Sequence, residues 1–314
     1  MKDWDACFHC GNCTATCPLS EEGVLFPRKK IRAMQMGLKD TLASGVEPWL
    51  CYYCGDCSKE CPRDANPGEL MMSLRRYLTS VYDWTGLSKL IYTSKAAELA
   101  LIFLFAALVF VLSIIYSGVP DQSLWLTAEG GVAINNFFPV EYVHFGDIVM
   151  AGLLAALLIT NILNMYFKVI VKPKVRAPIS SYFTEFFTLI WNFATQQKFK
   201  KCDSKPYWFI HLFLVSGYVA LFIIVVFFLE WFQTDTIHAW YHPQRLLGYY
   251  ATVGLFAGTI YFIIRRRRKL QQNNKYSHYT DWTFVIMLFL TTLTGILMHI
   301  FRVNGLALAT YYTY

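Results

Sequence analysis

The chain has 314 residues, 55% of them apolar and 17% aromatic, with a mean hydropathy of +0.36 and a formal net charge of +7. That is too oily for an ordinary soluble protein, although the first ninety residues read as soluble, so composition divides the chain into a soluble domain over 1–90 and a membrane domain over 91–314. The positive charge is gathered in the connections between apolar runs. This marks a membrane protein and argues against a nucleic-acid partner.

In chain order the first signal is cysteine. Eight of nine fall in two copies of one pattern: Cys7-Phe-His-Cys10-Gly-Asn-Cys13-Thr-Ala-Thr-Cys17-Pro18 and Cys51-Tyr-Tyr-Cys54-Gly-Asp-Cys57-Ser-Lys-Glu-Cys61-Pro62. Both read C-x₂-C-x₂-C-x₃-C-P, the spacing that binds 4Fe–4S clusters. Three cysteines of a tight loop reach three irons, while the x₃ step carries the fourth onto a helix leading away, where it ligates the other cluster. Cys7, Cys10, Cys13 and Cys61 are therefore expected to hold one cluster, and Cys51, Cys54, Cys57 and Cys17 the other. A structural zinc site would use paired C-x₂-C knuckles without the third cysteine or the trailing proline. Disulfides need an oxidising compartment, and Met1-Lys2-Asp3-Trp4 does not read as a secretory leader. Cys202 stands alone and is expected to be a small packing residue. His9, inside the first motif, is expected to tune the hydrogen bonding of its cluster.

Between the motifs, residues 28–43 read as a basic helix closed by Gly45, with a solvated face that could also dock an acidic partner. After the second motif Pro67-Gly68-Glu69 opens a helix with Leu70, Met71, Leu74 and Leu78 at helical spacing. No alternating strand pattern occurs, so the fold class expected is all-α.

Five long apolar runs follow, at about 98–117, 147–167, 207–230, 247–264 and 282–301, each close to the ~20 residues that cross a bilayer as helix. Segment 168–206 carries Lys168, Lys172, Lys174, Arg176, Lys198, Lys200, Lys201 and Lys205, and 265–281 carries Arg265 to Arg268, Lys269 and Lys275. By contrast 118–146 carries no lysine or arginine and 231–247 only Arg245. Basic connections stay in the cytoplasm, which places the cysteine domain there too, on a multi-pass protein of the cytoplasmic membrane. The basic block could also grip anionic lipid. The aromatic segment 178–197 suits a helix lying in the interface.

Ionisable side chains within membrane helices are functional candidates, because their burial without a partner is costly. His211 falls near the cytoplasmic end of the third run and His299 near the outer end of the fifth, with His144 and His242 flanking the second and fourth at the outer side. Imidazoles on facing helices are the ordinary means of holding haem iron in a bundle, so His211, His299, His144 and His242 are candidate haem ligands. His238 and His278 are weaker candidates. Asn135, Asn136, Phe137, Phe138 and Tyr142 adjoin His144 at the outer side.

The double cysteine motif, with Glu69-Leu-Met-Met-Ser-Leu-Arg-Arg-Tyr77 behind it, resembles the C subunit of heterodisulfide reductase, a helical dicluster ferredoxin. The membrane half resembles the cytochrome b subunits of heterodisulfide reductase and the nitrate reductase gamma family. It does so through Trp208-Phe-Ile-His211 with Gly217, the basic block closing the fourth run, and His278-Tyr-Thr-Asp281-Trp282 to Leu293-Thr-Gly295-Ile-Leu-Met-His299. Fusion of the halves is similar to the membrane subunits of quinone-interacting membrane-bound oxidoreductase complexes. The resemblance implies one or two haems b beside the two clusters, quinone or menaquinone as substrate, and soluble flavoprotein and iron–sulfur partners of the heterodisulfide reductase A and B type. It also implies a further membrane helix with haem-ligating histidines, which the thirteen residues after Phe301 cannot supply. No dinucleotide fingerprint, P-loop, zinc-protease helix or nucleophile elbow is present, so no site for a soluble substrate is expected. The competing expectation is a redox-sensing or structural membrane anchor whose clusters do not turn over with quinone.

Overall fold

A computed structural model describes residues 4–117, 125–127, 130–197 and 205–314. Cys202, Lys198, Lys200, Lys201 and part of the connection 118–146 lie outside them. The described residues are helical, with one isolated antiparallel bridge, Leu126 to Val132, and no strand. The chain divides into two compact units: one gathers 1–98, 157–185 and 264–281, the other 99–156, 186–263 and 282–314.

The first unit begins with five short helices, α1 (Asn12–Ala15), α2 (Arg28–Gln35), α3 (Lys39–Ala43), α4 (Glu47–Leu50) and α5 (Asp56–Lys59). They surround α6 (Pro67–Tyr82), which opens on the expected proline. Leu70, Met71, Leu74 and Leu78 are each at most 1% exposed. They pack with Leu19, Phe26, Ile31, Leu42 and, from a much later stretch of chain, Val169. Each such side chain contributes about 1.5–3 kcal/mol by leaving water, so α6 is the pillar on which the cysteine loops hang.

The single basic helix expected over 28–43 is two helices. Gly37 adopts φ +66° after α2, a left-handed end that suits glycine, and helix resumes at Lys39. Nor is this face wholly solvated: Lys30 is buried, its Nζ 3.0 Å from Glu47 Oε2. After α6 comes α7 (Leu87–Thr93). The Asp83 carboxylate accepts the N–H groups of Thr85 (2.9 Å) and Ser88 (2.7 Å) ahead of its first turns. These bonds outweigh the opposing effect of burial and hold its carboxyl down at about 2.

The second unit is built on five helices long and apolar enough to cross a membrane. They are α8 (Lys95–Ser117), α9 (Val140–Tyr166), α11 (Lys205–Phe227), α13 (Pro243–Arg268) and α14 (Tyr279–Val303). Each contains an expected run or its greater part. The third ends at Phe227 and gives way to α12 (Leu229–Phe232) rather than continuing to 230. Leu153, Leu154 and Leu158 of α9 are 58–61% exposed, so their apolar surface is left for a nonaqueous solvent to cover. Arg265 to Arg268 form the last turn of α13, where cations meet the negative end of the helix dipole. The aromatic segment is α10 (Ile179–Thr195), with Phe183, Phe187 and Trp191 exposed.

Near the start of α13 and the end of α14, the second unit carries a polar and aromatic cap. The Asn135 N–H donates to Asp235 (3.0 Å), Arg302 Nε donates to the Val132 carbonyl (3.2 Å), and the Tyr314 hydroxyl donates to Gln233 Oε1 (2.7 Å). Trp125, Phe137, Phe138 and Tyr311 stack there, Tyr311 belonging to α15 (Ala307–Thr313). Asn135, Phe137 and Phe138 thus gather with one another, while Asn136 and Tyr142 are exposed.

Candidate functional site

The two cysteine motifs share one backbone course. The residue before the second cysteine is left-handed in both, His9 at φ 63° and Tyr53 at φ 54°, and so is the residue after it, Gly11 at 91° and Gly55 at 92°. Two left-handed residues around one cysteine curl the loop tightly. Glycine takes that shape freely, whereas His9 and Tyr53 do so at about 1–2 kcal/mol each, strain of the kind found at functional sites. The glycines then start α1 and α5, which carry Cys13 and Cys57 and pack against each other. Asn12 of the first motif donates its amide to the carbonyl of Glu60, the residue before Cys61. The first motif is thereby tied to the end of the second.

The electrostatics follow the same crossing. The Cys13 thiol is pushed up to about 11, first by burial and then by the charges of Cys7, Cys10 and Cys61. Cys17, Cys51, Cys54 and Cys57 line a single cavity with Phe26, Tyr53, Gly68 and Met71. Burial raises all four of these thiols, Cys54 to about 11, and Cys57 is raised further by Cys51, Cys54, Cys13 and Cys17. A Cβ on Gly68 would stand 3.1 Å from Ser58 Oγ and 3.8 Å from Cys57 Sγ, so α6 approaches this cradle as closely as a glycine permits. The Tyr53 N–H donates to Cys51 Sγ at 3.4 Å.

Such a set fits a cluster. Burial and mutual repulsion oppose four neighbouring thiolates, and positive metal centres reverse both. A cubane spreads its thiolates over separate irons. The eight cysteines, in two C-x₂-C-x₂-C-x₃-C-P sets with four of them around one cradle, fit such clusters.

Sequence reasoning missed a network behind the second motif. The Tyr53 hydroxyl donates to Glu69 Oε2 (2.9 Å); Arg76 joins Glu69 (3.2 Å) to Asp281 (3.2 Å); Arg266 reaches Asp281 at 3.6 Å. Asn66 donates to the Tyr276 hydroxyl at 3.3 Å. This chain of polar contacts runs from the second cysteine loop to the connection between α13 and α14. His9 is held by Gln35, whose amide also donates to the carbonyls of Trp4 (2.9 Å) and Cys7 (3.0 Å).

The candidate haem ligands do not converge. His299 Nε2 meets the Tyr249 hydroxyl at 3.1 Å, and both line a cavity of about 210 Å³ with His238, Arg245, Thr292 and Arg302. His211 instead packs against Tyr207 and Phe262. Tyr249 and Phe262 are thirteen residues apart on α13, roughly 20 Å at 1.5 Å per residue, so His211 and His299 cannot share one iron. His238 and His242 stack face to face with ring centres 4.0 Å apart. His144 lies 3.7 Å from Glu230 and 3.3 Å from the Val226 carbonyl. His278 precedes α14, its Nδ1 2.8 Å from the Thr280 hydroxyl.

Residues 3–65 match a family described as a 4Fe–4S dicluster domain. A protein of Archaeoglobus profundus, named as like the C subunit of heterodisulfide reductase, is 39% identical over 77 residues, 24% of this chain. The chain covers 41% of that relative's length. No solved structure matches. The N-terminal region of this membrane protein is thus a 4Fe–4S ferredoxin-like domain similar to the C subunit of heterodisulfide reductase.

Proposed function

We propose that the chain is the membrane-anchored electron-transfer subunit of a quinone-linked oxidoreductase complex. It passes electrons between the quinone or menaquinone pool and a soluble flavoprotein or iron–sulfur partner of the heterodisulfide reductase A and B type. The observation that carries this is one compact unit holding both crossed cysteine sets and the connections 157–185 and 264–281 that join the spanning helices. Cys7, Cys10, Cys13 and Cys61 hold one cluster and Cys51, Cys54, Cys57 and Cys17 the other; each supplies a single-electron carrier when bound. Within this unit α5, which carries Cys57, touches the turn Gln272–Asn274 of the α13–α14 connection. Cys10 of the first set and Cys54 of the second are both exposed, so both sets offer an edge to a soluble partner. The basic connections 168–206 and 265–281 support a cytoplasmic place for this unit.

The cavity beside Tyr249 and His299 supports a quinone head group. It exceeds the ~150 Å³ that accommodates a benzene ring, and mixes apolar walls with a few polar groups. Haem b held through His211 and His299 would mean two haems rather than one, with His144 or His242 near the outer one.

The purified complex should contain about eight irons and eight acid-labile sulfides per chain. In isolated membranes, menaquinol should reduce the clusters, and a haem b difference spectrum should weaken in His211→Ala and His299→Ala. Clusters that never equilibrate with quinone would leave the anchor or sensor instead. A native complex without any b-type signal would return the four histidines to packing roles.

A further inference from the structure

Arg75 is unlike the other buried or half-buried basic residues described in the cysteine domain. Lys30 has Glu47, and Arg76 has Glu69 and Asp281. Arg75 is half-buried, and among the described residues no carboxylate pairs with it. Its guanidinium reaches across from α6 to the loop that delivers the first ligand of the second motif. There Nε donates to the Pro48 carbonyl (2.6 Å), and Nη2 donates to those of Trp49 (3.0 Å) and Cys51 (2.5 Å). The guanidinium carbon lies 6.0 Å from the Trp49 ring centre, and Nη1 lies 3.8 Å from Met72 Sδ.

Three carbonyls satisfy the hydrogen bonds of a guanidinium but leave its charge unanswered. The ligand residue next to it is Cys51, whose carbonyl accepts from its Nη2. When a cluster occupies this cradle, the anion is the cluster with its thiolates. One-electron reduction makes no bond and moves no proton; it adds one negative charge to an already anionic group. A fixed cation at its edge favours that charge, and charge and hydrogen bonding around a cluster are what set its potential.

On the cluster assignment proposed above, we infer that Arg75 is a positioning residue that raises the reduction potential of the cluster held by Cys17, Cys51, Cys54 and Cys57. Among the described residues the cations beside the first set, Arg28 (3.4 Å from where a Cβ on Gly11 would stand) and Arg63 (6.0 Å from the Phe8 ring centre), belong to exposed side chains in solvent. The second cluster is therefore the better electron acceptor of the two, and it rests reduced when only one electron is present.

The test is a mediated redox titration of the whole purified protein, with dithionite as reductant and the paramagnetic resonance of each reduced cluster as readout. Arg75→Gln keeps a hydrogen-bond donor and removes the charge; Arg75→Lys keeps the charge and loses the fork. In the glutamine variant, with eight irons retained, the reduced-to-oxidised ratio of one cluster should fall roughly tenfold at a fixed potential, which is 59 mV for one electron. The other cluster should not move, and the lysine variant should stay within about threefold of native. Unchanged potentials in an iron-complete glutamine variant overturn the inference. So does a lysine variant that falls as far as glutamine, or one that loses four irons, because Arg75 would then be a clamp for the loop. If only the glutamine variant loses iron, an iron-complete lysine variant at native potential upholds it. Native protein without cubane iron would sink the cluster assignment itself, a result visible before any variant is made.

Discussion

Asp281 is where the cysteine domain meets the connection between the fourth and fifth spanning helices, and replacing it should loosen that junction measurably. Its carboxylate faces Arg76 at 3.2 Å and Arg266 at 3.6 Å, and also accepts the N–H of His278 at 3.2 Å, the residue just before α14. The last contact is one half of a capping box. The three ionic side chains are 16–31% exposed. This places the pairs between surface pairs, worth up to about 1 kcal/mol, and buried ones, whose rupture costs about 3–5 kcal/mol. Asp281→Asn keeps an acceptor for the cap and should cost about 1–2 kcal/mol, and Asp281→Ala roughly 0.5–1 kcal/mol more. A loss of this size raises the locally open population about 5–30-fold. Amide hydrogen exchange over 272–281 and the second half of α6, on detergent-solubilised protein, should accelerate by that factor. High salt should shift the native protein part of the way. Exposed Arg267, changed to alanine, should leave exchange alone. Unchanged exchange in Asp281→Ala would refute the assignment of this connection to the cysteine domain's unit.

Cys61→Ser should damage the cluster built on the first motif although Cys61 lies in the second; loss of the signal that Cys54→Ser also removes would break the crossing. Asp83 has its carboxyl held at about 2 against an ordinary 3.8, so its contribution is complete above about pH 4 and is lost as pH falls towards 2. Asp83→Asn should cost about 1–2 kcal/mol at neutral pH, read as faster exchange in α7, and should abolish the extra acid sensitivity there. Single cysteines placed at 268–275 should react with an impermeant thiol reagent from the cytoplasmic side and those at the exposed positions 126 and 136 only from the other; labelling of both from one side would end the five-span topology.

Much of this architecture is local in origin, which is why it is legible. The cysteine spacing encodes two loops, period 3.6 exposes the buried face of α6, and run length alone marks the spanning helices. The break after α2 was present as Gly37, but the apolar positions on either side continue in helical phase to Leu42 and mask it. The histidines show the limit of one-dimensional reading: distance along a helix gives depth, whereas the partner across the bundle depends on packing. Arg75 and Arg76 make the same point at close range. Adjacent helix positions differ by about 100° in direction, so one guanidinium serves the second cysteine loop while its neighbour serves Glu69 and Asp281.

The composition of the first unit from three separated stretches sets an order of events during synthesis. Residues 1–98 emerge first, but Val169 of the same core and Asp281 of the same ionic junction come far later. At about 5–20 residues per second, the 183 residues from Leu99 to Asp281 take roughly 10–40 s. Until Val169 is made, about 71 residues or roughly 4–14 s along, α6 lacks an apolar neighbour, and for the whole interval Arg76 lacks one of its two carboxylates. The ionic junction of the first unit is therefore completed only after Asp281, beyond the fourth long apolar helix, has been synthesised.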